Sequence, residues 1–128
     1  MTDQIRKRLI NGNFIIFFSD KKLNNIFQKD IMGYEYELGT NKITLNVPEY
    51  DDTKYLKLLE KYFKKYIDIT IYVSKNPIDE EGAKKENYYS IMFKRCKLTK
   101  IFNEGTCCSK EESTIDISFS CDDYEIRY

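Results

Sequence analysis

Apolar and polar residues alternate strictly near the end of the chain. Ile115, Ile117, Phe119 and Cys121 fall on one side of an extended backbone. Thr114, Asp116, Ser118, Ser120 and Asp122 fall on the other. A period of two belongs to a strand with one dry face and one wet face, which predicts a strand over 113–128. The same alternation recurs in two runs about the link Gly39-Thr40-Asn41. Met32, Tyr34, Tyr36 and Leu38 oppose Gly33, Glu35 and Glu37, and Ile43, Leu45 and Val47 oppose Lys42, Thr44 and Asn46. Two alternating runs joined by a short glycine-bearing link predict a β-hairpin, ended by Pro48, which has no N–H for a ladder. Ile67, Ile69, Ile71 and Val73 predict another strand. A continuously apolar run over 13–19 predicts a short strand buried on both faces. Residues 88–101 alternate too, but the phase shifts midway, which predicts a bulge or bend near Lys94-Arg95.

One stretch has helical spacing. Tyr55, Leu56, Leu59, Tyr62, Phe63 and Tyr66 recur at intervals of three and four, with lysines and Glu60 on the other side. They predict one helix over 53–66, capped by the Asp51-Asp52-Thr53 segment. Burying six such side chains is worth on the order of 10 kcal/mol before entropy, so the helix is expected to pack on the sheet. Its lysine face is expected to be solvated. Residues 20–25 read as a polar connection and 26–30 fit no single pattern. Residues 74–87 and 102–112 read as charged, exposed loops, and 1–12 as a flexible arm. The elements together predict a mainly β (α+β) domain over 1–128. It is an antiparallel sandwich or barrel with one flanking amphipathic helix.

Charge and composition narrow the chemistry. The 21 basic and 21 acidic residues cancel, which argues against a general nucleic-acid binder. There is no histidine, the commonest general base and metal ligand. No glycine pattern that cradles phosphate is present. The four cysteines, Cys96, Cys107, Cys108 and Cys121, form no CxxC pair, and the adjacent Cys107-Cys108 is poor ligand spacing for zinc. No metal or cofactor is expected. The apolar run Phe14–Phe18 is too short for a signal segment or membrane span, which predicts free thiols in a reducing cytoplasm and no membrane partner. Fifteen per cent aromatics, eleven of them tyrosine, suit half-buried strands and protein interfaces.

The element order, with the bent strand running from Tyr89 through Met92-Phe93-Lys94-Arg95-Cys96 into Leu98-Thr99-Lys100-Ile101, resembles the tail tube proteins of contractile-tailed bacteriophages. In that family an aromatic strand passes through a kink to a T-x-I segment, and the last strand closes on an acidic-aromatic "DYYEI"-like tail. Here Thr99-Lys100-Ile101 and Asp123-Tyr124-Glu125-Ile126 stand in those places. The resemblance covers roughly residues 32–128 and rests on patterns of aromatics, with no counterpart for Cys107-Cys108. It implies a non-enzymatic structural protein of the virion, assembled in the host cytoplasm. Copies would form stacked, hexameric rings, the inner tube through which the genome is ejected. Partners would be the chain itself, sheath, baseplate and tape-measure proteins, with DNA in transient passage. A tube initiator or terminator ring fits the same pattern.

On this reading Glu35, Glu37, Lys42 and Thr44 are expected to face the channel. Asn76, Asp79, Glu80, Glu81, Glu104 and Lys110 are expected at contacts between rings or subunits. Two other classes compete. A nucleic-acid-binding β-barrel would use tyrosine stacking and the lysine-rich helix. A hydrolase would use the pair Asp122 and Asp123, but neighbours on a strand point to opposite faces, a poor geometry for an acid–base couple.

Overall fold

The computed structural model describes residues 13–50, 53–74, 81–82, 87–103 and 113–128. Its strands are β1 (Phe14–Phe18), β2 (Gly33–Glu37), β3 (Lys42–Pro48), β4 (Tyr66–Val73), β5 (Tyr89–Phe102) and β6 (Thr114–Arg127). They form a six-stranded sheet in the order β1-β4-β5-β6-β3-β2. Every pairing is antiparallel. The sheet curls into half a barrel, one layer where a sandwich would have two. The residues buried on one side of it form a single core cluster.

The alternation decides which side is which. Ile115, Ile117, Phe119 and Cys121 of β6 are buried, as are Ile43, Leu45 and Val47 of β3 and Ile67, Ile69, Ile71 and Val73 of β4. Both hairpin runs pair as expected, with Glu37 opposite Lys42 and Glu35 opposite Thr44. β1 differs from expectation: Ile16 and Phe18 are buried, but Phe14, Ile15 and Phe17 are half-buried, so one face is dry and the other is not.

The phase shift in β5 is real. Burial passes from Ile91 and Phe93 to Cys96 and Leu98, skipping a residue, and Arg95 sits in the left-handed region at φ 53°. Asp68 of β4 faces this bulge and its carboxylate accepts the Arg95 N–H at 2.9 Å. β6 shifts phase alongside, from Cys121 to Tyr124, so Lys94↔Asp123 and Cys96↔Cys121 stay in one register. A second irregularity lies between Leu98 and Lys100. Bulges of this kind bend a long strand pair and wrap it around a core.

Among the described residues two helices pack against the sheet, where one was expected. The unexpected helix, α1, spans Lys21–Phe27 and continues as a tighter 3-10 turn over Gln28–Asp30. Asp20 caps it, its side chain accepting the N–H groups of Lys22 and Leu23. Leu23 and Phe27, four residues apart, point into the core. The expected helix, α2, is shorter than the pattern implied: it spans Lys54–Leu59 and tightens into a 3-10 turn over Glu60–Phe63. Its N-cap is Thr53, at φ 56° and without a side-chain capping bond. Tyr55, Leu58, Leu59 and Tyr62 are buried; Leu58 takes the inward place assigned to Leu56. Tyr66 is not helical. The chain turns at Lys64, and Tyr66 opens β4 beneath the Arg95 guanidinium, 4.5 Å away. The helices meet through Phe27 and Tyr55, whose rings lie 4.2 Å apart.

Candidate assembly surfaces

The two sheet edges are not equivalent. Ser74 N–H donates to the Asn13 carbonyl and Ser19 N–H to the Asp68 carbonyl. Odd-numbered residues of β1 therefore turn their backbone groups toward β4, and Phe14, Ile16 and Phe18 turn theirs outward. Part of that outward edge is covered. Asn24 Oδ1 accepts the Phe18 N–H at 2.9 Å, and Gln28 Nε2 donates to the Ile16 carbonyl at 3.0 Å. At the other edge, Cys121 N–H donates to the Asn41 carbonyl, Glu49 N–H to the Ser113 carbonyl, and Met32 N–H to the Asn46 carbonyl. Odd residues of β3 thus face β6 and even ones face β2. By the same alternation Tyr34 and Tyr36 of β2 direct their N–H and C=O groups away from the sheet. Among the described residues nothing pairs with them there. β1 and β2 end the strand order and no ladder joins them, though the Phe14 and Tyr34 rings meet across the gap at 4.7 Å.

An aromatic cluster stiffens the open edge from behind. Tyr34 and Tyr36 stack at 6.1 Å, Tyr36 approaches Phe93, and the Tyr36 and Tyr89 hydroxyls are 3.3 Å apart. Burial pushes the Tyr89 hydroxyl well above the usual phenol range, helped by its hydrogen bond with Tyr36. Burial also raises Tyr34.

The face away from the core is polar over β2, β3 and β6. It brings the four expected channel residues together: Glu35, Glu37, Lys42 and Thr44 form one patch on two paired strands. The patch continues through Ser118, 2.6 Å from Thr44, and through Asn46, which donates to Thr114 and Asp116. Lys97 and Lys100 extend it across β5, opposite Ser120 and Ser118. These two lysines escaped the sequence reading because their side depends on the bulges. Beyond them lies an exposed ionic strip, with Lys94–Glu125, Arg127–Glu125 and Arg95–Asp122 at 3.3, 3.2 and 2.8 Å. Hydrogen bonds from Arg127 and then Lys94 hold the Glu125 carboxyl low, and the Asp122 carboxylate raises Arg95. Asp122 is engaged by Arg95 and Asp123 by the Tyr124 N–H, so the two carboxylates do not converge on a shared proton.

Of the expected inter-ring residues, Glu81 is described and exposed; Asn76, Asp79, Glu80, Glu104 and Lys110 lie outside the described residues. So do Cys107 and Cys108. Cys96 and Cys121 are buried, free and face each other across β5 and β6. The hydrogen bond to Cys121 and burial push the Cys96 thiol far up, so it stays protonated and unreactive. Among the described residues no group of three or more acidic or thiol side chains is placed to hold a metal, and no helix is long and apolar enough to cross a membrane.

No protein-family model matches the chain, and no curated protein matches it. Solved structures do. The chain is similar to the tube-terminating cap of the anti-feeding prophage, at 15% identity and a TM-score of 0.66, over 99% of this chain and 95% of that one. It is similar to the sheath/tube terminator of the PVC extracellular contractile injection system, at 12% identity and a TM-score of 0.67, over 98% and 100%. It is also similar to Hcp1 from Flavobacterium johnsoniae, at 10% identity and a TM-score of 0.59, over 88% and 93%. The chain therefore has the fold shared by Hcp1 and by tube-terminating proteins of contractile injection systems.

Proposed function

We propose that the chain is a structural subunit of the inner tube of a contractile tail or injection apparatus. Copies close into rings, hexameric on the expectation above, and rings stack around a channel. The observation that carries this is the open β2 edge of a half-barrel in a tube-protein fold: a second copy completes what one chain leaves unfinished. Closure removes exposed edges, which otherwise invite aggregation. Residues 1–128 act as one unit, without catalysis, and Glu35, Glu37, Lys42 and Thr44 line the channel. That patch carries both signs of charge. Tight binding to DNA comes from neutralising phosphates, so a mixed lining lets a polyanion slide. The cargo is DNA or protein, and sheath and baseplate proteins are the outer partners.

A second reading is favoured by the cap and terminator structures, which this chain covers almost entirely. The chain then forms a terminal ring. Negative-stain microscopy and light scattering of the concentrated protein separate the readings. A tube subunit gives stacks of uniform bore; a terminal ring gives single annuli. A strictly monomeric protein overturns both.

A further inference from the structure

Between α1 and α2 runs an open groove of about 710 Å³. Its apolar lining includes Ile26, Tyr50 and Leu58, and Ile26 and Tyr50 are 39% and 48% exposed. Lys22, Lys57 and Lys61 stand along its rim. Among the described residues none of these three has a carboxylate within ion-pair distance, whereas Lys65, Lys94, Arg95 and Arg127 each do. Asp30 also lines the groove. An apolar floor with a cationic rim suits a segment carrying an aliphatic side chain followed by carboxylates. Single-stranded nucleic acid is the competing occupant, since the exposed Tyr50 ring can stack a base, and the test below makes it an outcome.

The sequence holds one such segment. Its longest acidic run, Asp79-Glu80-Glu81, directly follows Ile78. That segment belongs to the connection between β4 and β5, which leaves β4 after Val73. The groove-forming helices join the opposite strand ends: α1 follows Phe18, paired with Ile69, and α2 leads into Tyr66. Eight residues of β4 separate the two ends, about 25 Å of strand. The segment therefore leaves from the end of the sheet away from its own helices, and a copy placed head to tail brings the two together. Such a contact joins different surfaces of the two copies, so it propagates into a stack instead of closing a dimer.

We infer that the α1–α2 groove receives the Ile78–Glu81 segment, residues 78–81, of a second copy of this chain, joining one ring to the next. The inference rests on the stacked-ring reading above, and charge exchange tests it on the full chain. One variant carries Lys57→Glu with Lys61→Glu; the other carries Asp79→Lys with Glu80→Lys. Each alone sets like charges against each other and is expected to associate at least roughly tenfold more weakly than wild type by sedimentation velocity. Mixed together, each variant meets the opposite sign, and association recovers. The thermal melt of the lysine-to-glutamate variant should match wild type, since both altered lysines are exposed. Variants that associate like wild type, or a mixture that fails to recover, overturn the inference while the tube reading stands on the association of wild type.

If wild type does not associate, the ring reading fails, and a fluorescent peptide of residues 74–87 decides the docking separately. Binding that disappears in the lysine-to-glutamate variant upholds it; no binding sinks it. A single-stranded oligonucleotide that binds at the same lysines in place of the peptide overturns it as well.

Discussion

Asp20 joins local structure to tertiary structure in one side chain. It caps α1 through the Lys22 and Leu23 N–H groups and pairs with Lys65 at 2.9 Å. Burial pushes its carboxyl upward, but hydrogen bonds from Lys65, Leu23 and Tyr62, with the nearby Lys65 charge, outweigh that and hold it at about 2, against 3.8 ordinarily. Because the folded value lies below the unfolded one, the stabilisation is present above pH 4 or so and drains away as pH falls toward 2. Tyr62 behaves oppositely: burial, then its hydrogen bond to Asp20, push it up to about 12 from 10.0. Its contribution is intact below pH 10 or so and is lost as pH rises through about 12. Asp20→Ala is expected to cost about 1–2 kcal/mol, discounted because Lys65 is largely exposed. Asp20→Asn keeps the cap, costs less, and flattens the acid limb. Urea midpoints measured from pH 2 to pH 7 check all three statements; an unchanged acid limb in Asp20→Asn contradicts the assignment.

Among the elements, the strands were legible and the helices only partly so. A period of two survives from Thr114 to Cys121 because each inward residue meets one core and each outward residue lies on the polar face. The bulge near Arg95 was legible for the same reason, as a break in that rhythm. α1 was not, because seven residues show little more than one repeat. Its signal was there in Asp20 followed by Leu23, Ile26 and Phe27. α2 was read too long because Tyr66 falls at helical spacing while packing on the sheet under Arg95. The β2–β3 turn offers a contrast between neighbours. Gly39 has φ +99°, and a Cβ there would meet nothing within 4 Å, so Gly39→Ala carries a purely conformational cost of about 1 kcal/mol or more. Asn41, at φ 55°, holds a buried Oδ1 without a hydrogen-bond partner among the described residues. Asn41→Gly relieves both burdens and is expected to hold or raise Tm. Calorimetry showing the reverse order would refute this account of the turn.

At the scale of the whole molecule, a sheet with one wet face was legible, but its open edge was not. Alternation announced a half-wet sheet; it could not say that β1 and β2 would be the edges, since strand order depends on pairings between residues far apart. The structure makes one edge partly satisfied by the chain's own Asn24 and Gln28 and the other open at Tyr34 and Tyr36. This asymmetry yields a prediction that separates folding from assembly. Proline at position 34 removes an N–H that points away from β3, so the β2–β3 ladder keeps its bonds, as proline on edge strands generally allows. It also removes the ring that meets Phe14 and Tyr36. Tyr34→Ala removes the same ring and keeps the N–H. Both variants are therefore expected to lose similar stability as monomers, about 1–3 kcal/mol for a half-buried aromatic. If a second copy pairs along β2, Tyr34→Pro abolishes rings while Tyr34→Ala still forms them. Microscopy paired with melting curves reads both quantities from one preparation. Equal assembly by the two variants means that copies meet through side chains and leave the β2 backbone to water.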